Sequence, residues 1–298
     1  MLQLLNMIRP TKCFFFVRVI FDVALFELKF GFHNRFKLLT SIKSITFFMK
    51  FIDLLITAVS YVRQSRKRNL IKIAFSLKGK RGLEIGGPST FFGLKSSFPI
   101  YLFAKKIDGV NYSNETVWEG KLQQGETYNY YRDKIGTQFI AEATELKDIS
   151  NEQYDFILSC HNLEHIANPV KALLEWKRVI KKGVFLILVL PDKRYTFDVN
   201  RPYTSFDHLI QDYKAETDEH DTTHLEEILE YHDIQKDAGV DTVLQLKEKL
   251  KDNYSNRTAH HHVFSQDVVK KMLEYCGFTV KHQQEGNSLH LITVATRQ

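Results

Sequence analysis

Residues 154–192 read YDFILSCHNLEHIANPVKALLEWKRVIKKGVFLILVLPD, and this stretch decides the fold. YDFILSC (154–160) is a short apolar run introduced by the turn-like SNEQ (150–153), as a strand should be. Val170, Leu173, Leu174, Val179 and Ile180 then follow helical spacing. Asn168 is placed to cap that helix, Pro169 to open it and Gly183 to stop it. GVFLILVL (183–190) is almost continuously apolar, the pattern of a strand buried on both faces, and Pro191 ends it. Strand, helix, strand within 40 residues is the unit from which parallel sheets are built.

The same rhythm extends outward. GLEIG (82–86), KIDGVNY (106–112) and TQFIAEA (137–143) read as three earlier strands. Near the end, Ser265 can cap SQDVVKKMLEYCG, with Val268, Val269, Met272 and Leu273 on one face and Gly277 as the stop. FTVKHQQ and SLHLITVAT follow as a terminal strand pair. This predicts an α/β chain, a three-layer α/β/α sandwich on a mostly parallel seven-stranded sheet with an antiparallel terminal strand. Residues 194–264 break the rhythm. They are polar, helix-prone and rich in histidine, and read as an insertion over the mouth of the sheet. No internal repeat is evident.

The chain has 298 residues, 44% hydrophobic and 26% charged, enough to bury a sizeable core, which excludes wholesale disorder. With 14 Gly and 6 Pro it is not collagen-like. Cys13, Cys160 and Cys276 lie far apart and form no CxxC pair, so neither a disulfide scaffold nor a thiolate zinc site is supported. The net charge of +6 hides an asymmetry: residues 1–81 carry about +13 and the remainder about −7. Eleven of the 23 Phe fall in the first 62 residues, in runs such as CFFFVRVIF (13–21) and ITFFMKFIDLLITAVSYV (45–62). This shift in composition divides a basic, aromatic helical extension (1–78) from the α/β domain (79–298).

Lys50 and Asp53 interrupt the longest apolar run, which argues against a membrane-spanning helix. The order of charges at the N-terminus is not that of a signal peptide. Two readings of the head stay open: residues 1–68 rest on an anionic membrane surface, or they pack on the body. Either way a cytoplasmic protein is expected, on the first reading peripheral to the inner face of the cell membrane.

LEIGGPS (83–89) is the first chemical signal. A strand ending beside an acid and entering two glycines lets backbone turn tightly against a ligand. The glycines do not form GxGxxG, and GK[ST] is missing, so neither a nicotinamide pyrophosphate site nor a P-loop is indicated. With its neighbours, this segment resembles the class I S-adenosylmethionine-dependent methyltransferases, a Rossmann-like family, over about 82–191 and the closing strands from 277. The chain looks most like methyltransferase type 11 proteins of bacteria, some associated with surface-polysaccharide genes. The resemblance implies S-adenosylmethionine as cofactor. Glu84, Gly86 and Gly87 would lie in the loop against it, with Ser89 near the place of the usual third glycine. Asn111 falls where the family carries an acid for the ribose hydroxyls, with Asp108 as fallback. Glu142 and Ala143 would stand by the adenine, and Cys160 would close the fourth strand beside the cofactor.

Methyl transfer to a hydroxyl needs a base to take the proton. His161, Glu164 and His165 follow the fourth strand, at spacings that share one face of a helical turn. In some quinone-ring O-methyltransferases a similar acid-rich segment binds a divalent metal; His161 replaces an acid here, and Glu164-His165 can equally be a structural helix-start motif. The insertion holds seven of the twelve histidines: His208, His220, His224, His232, His260, His261 and His262. HDTTH (220–224) has a chelating spacing if helical, but it is not HExxH. These histidines can line a substrate pocket, form a hydrogen-bonded cluster or bind metal. His161, His262 and His224 are taken as the catalytic candidates, and no metal ligand is assigned. Asp192, Arg194 and Tyr195 are expected to face the cleft.

The expected activity is O-methylation of a sugar or glycan-related small molecule. Two alternatives stand beside it. RQSRKR (63–68) would serve an RNA or protein methyltransferase, although the acidic body disfavours a broad nucleic-acid footprint. A noncatalytic scaffold docking at a membrane or partner is the other.

Overall fold

A computed structural model describes residues 42–94, 98–286 and 289–298. The run at 13–21 and the first half of the basic head lie outside the described residues. The chain divides into two compact units. One is the described part of Met1–Gly79 with Thr90–Ala104, and the other is Lys80–Ser89 with Lys105–Gln298.

The first unit contains α1 (Ile42–Arg63), α2 (Arg68–Ser76) and the short α3 (Ile100–Phe103). Arg68 caps α1, donating from its guanidinium to the carbonyls of Tyr61 and Val62. Aromatic residues explain why 90–104 joins this unit. Phe103 meets Phe75 edge-on at 5.5 Å between centroids, and Phe92 packs against Phe98 and Tyr101. On α1, Asp53, Thr57, Ala58 and Tyr61 are buried, whereas Met49, Ile52, Ile56 and Val59 form an exposed apolar stripe. No described helix is long and apolar enough to cross a membrane.

The second unit is built on one sheet. Its strands are β1 (Arg81–Ile85), β2 (Lys106–Asn111), β5 (Gly125–Tyr131), β6 (Lys134–Ile140), β7 (Tyr154–Cys160), β8 (Ile180–Pro191), β9 (Phe278–Glu285) and β10 (His290–Arg297). A two-stranded ribbon, β3 (Glu115–Thr116) with β4 (Gly120–Lys121), stands apart. The spatial order is β5-β6-β2-β1-β7-β8-β10-β9. β6, β2, β1, β7 and β8 run parallel, while β10 is antiparallel to both neighbours. This is the Rossmann-like sheet expected, with one strand more than the seven anticipated. The extra strand, β5, forms an edge hairpin with β6 that turns through Arg132 at φ 52°. Its buried Tyr128 and Tyr130 alternate with polar residues, a period-2 signal.

Helix α4 (Pro169–Val179) confirms its N-terminal signals: the Asn168 side chain accepts from the Lys171 N–H, and Pro169 is the first residue. Gly183 does not stop it. The helix ends at Val179, β8 begins at Ile180, and Gly183 (φ 73°) lies in the strand where its pairing with β7 shifts register. Helices α5 (Phe206–Lys214), α6 (Leu225–Tyr231), α7 (Val243–Lys251), α8 (Asn253–Asn256) and α9 (Gln266–Tyr275) complete the unit. Ser265 caps α9, and Gly277 follows it at φ 82°.

The main core joins Leu186, Leu188 and Leu190 of β8 to Leu173 and Trp176 of α4 and Met272 of α9. The alternate residues Ile187 and Val189 are also buried, so β8 is out of water on both faces. Ile228, Val240, Leu246, Leu250 and Ala259 form a second, smaller core within 194–264.

β2 and β6 approach closely at one glycine. A Cβ at Gly136 in β6 would lie 1.8 Å from the carbonyl oxygen of Ile107 in β2, a backbone atom with no room to move. Gly136→Ala should therefore cost about 1–3 kcal/mol, whereas Gly239→Ala, which meets only ordinary contacts, should stay within about 0.5 kcal/mol. Urea denaturation of the two variants checks this, and equal midpoints would refute it.

Candidate functional site

In an open parallel sheet the ligand crevice forms at the carboxyl ends of the strands, where the order reverses. Here the chain runs from β1 outward to β2 and β6, then returns to β7 on the other side of β1. The reversal therefore lies between β1 and β7. The loop 86–89 leaves β1 on one side of it, and His161 and Asn162 leave β7 on the other.

Gly86 has φ 76°, and a Cβ there would come within 2.4 Å of the Asn162 amide nitrogen. At Gly87 a Cβ would meet the Glu84 carboxyl and the Tyr128 hydroxyl, both at 2.4 Å. No side chain fits at either position without displacing these groups. Glu84 is buried and holds the loop from within: its carboxylate accepts from the Ser89 N–H at 3.0 Å and the Tyr128 hydroxyl at 2.7 Å. Asn111, at the end of β2, donates to the Gly87 carbonyl at 3.0 Å and to Gln138 Oε1 at 3.5 Å. With both N–H groups engaged, only its amide oxygen is left to meet a ribose hydroxyl. Cys160 is buried beside Ser89, and burial pushes its thiol pKa up. Glu84, Gly86, Gly87, Asn111 and Cys160 are thus brought together at the reversal.

Glu142 and Ala143 lie just beyond β6, and both already have partners. The Glu142 carboxylate lies 2.8 Å from Arg257, which also pairs with Glu219. The Ala143 carbonyl accepts from the indole of Trp176. A cleft of about 160 Å³ opens beside Glu142, Arg257 and Tyr254.

Beyond β7, His161 adopts φ 49°, and its Nε2 lies 2.8 Å from His290 Nδ1. Leu163–His165 form a single 3-10 turn. Burial, then His290 and His260, drive the His161 pKa down to about 3. Glu164 is 1% exposed, and neither carboxylate oxygen has a hydrogen-bond partner. Burial raises its pKa to about 7, against the pull of His260. Glu164, His165 and His260 offer polar atoms within 4.8 Å of one another.

The structure separates the three consecutive histidines. His260 Nδ1 meets Asp198 Oδ2 at 2.5 Å. Burial alone would depress His260, but the Asp198 carboxylate outweighs it and raises the pKa. Burial would raise Asp198; His260 and Arg201 instead hold it at about 2. His261 lies against Asn253. His262 lies against Ala167 O, and its ring packs on those of His208 and His224. The catalytic candidates therefore fall into two groups: His161 stands at the crevice, while His224 and His262 sit in a separate buried cluster. Sequence reasoning names His260 only as one of the insertion's histidines and misses Asp198 and Arg201. Apart from Asp198, three residues before it, the partners of Arg201 lie 26 to 60 residues away. Asp192 caps the 3-10 turn Lys193–Tyr195 and pairs with Arg194, which also reaches Glu285; Tyr195 is exposed.

Residues 95–188 match the family model described as a methyltransferase domain. No curated protein sequence matches the chain. Solved structures similar to it include an S-adenosylmethionine-dependent methyltransferase from Mesorhizobium loti, with 13% identity, 77% of this chain and 96% of that chain covered, and TM-score 0.45. Another, from Methanosarcina mazei, shows 16% identity, 76% and 96% coverage, and TM-score 0.42. A third, from Aquifex aeolicus, shows 15% identity, 83% and 98% coverage, and TM-score 0.41. S-adenosylmethionine is the cofactor that the resemblance of the sequence implies. The residues at the reversal fit it on two observations: a turn that only glycine occupies without displacing its neighbours, and the buried Asn162 Oδ1, which has no hydrogen-bond partner.

His161 sets a pH dependence. The folded chain keeps its ring neutral down to about 3, whereas the unfolded chain takes up the proton near 6.5. The unfolded state thus binds more protons in this window, and stability falls as pH falls through it. The urea midpoint should drop between about pH 7 and pH 5, and the drop should be shallower in His161→Gln. An equal slope in the variant would remove His161 as a contributor.

Proposed function

We propose that this chain is an S-adenosylmethionine-dependent methyltransferase that O-methylates a sugar or glycan-related small molecule. The observation that carries the reading is the glycine turn of β1 facing Asn162 across the sheet's reversal, within reach of a buried acid–histidine group. The family match over 95–188 supports it.

Bound S-adenosylmethionine would supply an electrophilic methyl group, and the acceptor hydroxyl must lose its proton as it attacks. His260 is the base this reading favours. A carboxylate only accepts, so the short contact with Asp198 places the proton on His260 Nδ1 and leaves the Nε2 lone pair free. Asp198, kept ionised by Arg201, then stabilises the imidazolium that forms. His161, held neutral to about pH 3, is a weak base and better suited to positioning.

What surrounds this group supports the acceptor class. Trp118 is exposed, and its ring lies 5.0 Å from that of His165, which packs on His260 at 4.6 Å. An open indole face beside hydrogen-bonding groups suits a sugar ring, which has apolar C–H faces and a hydroxyl rim.

Titration calorimetry of the full chain with S-adenosylmethionine, followed by labelled-methyl transfer to glycan acceptors, tests the reading. Gly86→Val should abolish cofactor binding. His260→Gln should keep it and lower turnover by about 10²–10⁴-fold. Failure of the folded chain to bind the cofactor would turn attention to the scaffold reading.

The exposed stripe Met49, Ile52, Ile56 and Val59, with exposed Arg63 and Arg66 at its end, supports peripheral docking on an anionic lipid surface at the cytoplasmic face of a membrane. Ile56→Asp with Val59→Asp should release the chain from phosphatidylserine vesicles in a flotation assay; unchanged flotation would reject this docking face.

A further inference from the structure

The cluster around His262 has the composition and spacing of a metal centre. His208 and Asp212 stand four residues apart on α5, hence on one face, and Ser205 caps that helix. His224 immediately precedes α6. His262 comes from the run before α9. His208 Nε2 lies 3.3 Å from His224 Nε2 and 3.2 Å from Asp212 Oδ2. His262 Nε2 lies 3.8 Å from Asp212 Oδ2. One donor atom from each of the four residues falls within 4.8 Å of all the others. Zinc–nitrogen bonds of about 2.0–2.1 Å in a tetrahedron place neighbouring donors about 3.3–3.4 Å apart. The contacts of His208 are already at that spacing.

The protein leaves donors in the cluster unused. Asp212 Oδ2 is buried and makes no hydrogen bond. His262 is 1% exposed; its Nε2 lies 3.1 Å from the Ala167 carbonyl, and its Nδ1 has no hydrogen-bond partner. If Nε2 carries the proton, the Nδ1 lone pair is bare. If Nδ1 carries it, the Nε2 lone pair faces a carbonyl that cannot donate. In either tautomer the neutral ring keeps a lone pair that no donor among the described residues meets.

We propose that His208, Asp212, His224 and His262 bind one divalent metal ion of the zinc class, tying α5, the start of α6 and the run before α9 into one unit. Three imidazoles and one carboxylate, without thiolate, suit zinc, with cobalt(II) as its spectroscopic substitute. Four protein ligands leave no open position, so the ion's role is structural, and the inference stands whether or not the functional reading does.

The test uses the full chain, treated with chelator and titrated with cobalt(II) alone. Strong visible absorption of tetrahedral type at one equivalent, displaced by zinc and accompanied by a raised thermal midpoint, is expected. His208→Gln, at a half-exposed position, and the isosteric Asp212→Asn should each weaken the metal at least about tenfold, with unchanged far-UV circular dichroism. These two residues belong to neither of the neighbouring groups, Glu164–His165–His260 and Asp221–His224–His261. A folded chain that takes up no cobalt(II) or zinc would overturn the proposal. So would a pale octahedral spectrum, or binding that is equal in both variants.

Discussion

A guanidinium buried to 1% exposure persists only if its N–H groups are met, and Arg201 meets this demand. It donates to Glu227, to Asp198, and to the carbonyls of His260 and His261. The Lys193 ammonium in turn holds the Arg201 carbonyl. One side chain thereby joins the segment after β8, helix α6 and the histidine run. Removing it would take the donor from Glu227, from Asp198 Oδ1 and from two backbone carbonyls, a loss of about 3–5 kcal/mol for a broken buried pair. The direction of every histidine from 260 to 262 depends on this anchor, because it fixes their backbone.

The consequence is chemical. Three adjacent imidazoles cannot share one ligand from a regular element, and here they serve different neighbours. His260 turns to Asp198 and Glu164, His261 to Asn253, and His262 to the cluster of α5. At the sheet's reversal, the same economy appears in Glu84. An acid near the end of the first strand reads as a ligand group, but its two oxygens hold Ser89 and Tyr128 and so shape the turn. Asn111 is likewise partly spent on Gly87.

Local signals were legible and long-range ones were not. The apolar run 183–190, the Asn168–Pro169 entry, the Ser265 cap and the Gly86–Gly87 turn are written within a few residues, and they sufficed for the parallel sheet. Gly183 looked like a helix stop because a left-handed glycine serves a strand irregularity as well as a helix end. β5 was hidden because tyrosine and asparagine carry a weaker hydrophobic alternation than leucine and valine. Glu142 pairs with Arg257 across 115 residues, and His260 with Asp198 across 62. Such pairings are set by how the insertion folds back, which no spacing rule encodes. The His208–Asp212 spacing and HDTTH are visible in the chain; that residue 262 closes against them is not.

The buried cluster also poses an energetic question. An unmet polar group in the interior costs about 1–3 kcal/mol, and this region holds three atoms without a hydrogen bond among the described residues: Asp212 Oδ2, His261 Nδ1 and His262 Nδ1. Together they would consume much of the roughly 5–15 kcal/mol that stabilises an ordinary domain. Repacking with apolar side chains would be the simpler solution if these groups served only to fill space. Retaining nitrogen and oxygen donors within 4.8 Å of one another makes physical sense when something electropositive offsets their burial. A metal ion does so directly, because its binding free energy becomes folding free energy. On this account the ion fixes the backbone at His262, two residues from His260. The proposed acid–base group would then inherit its geometry from a centre that takes no part in the proposed reaction.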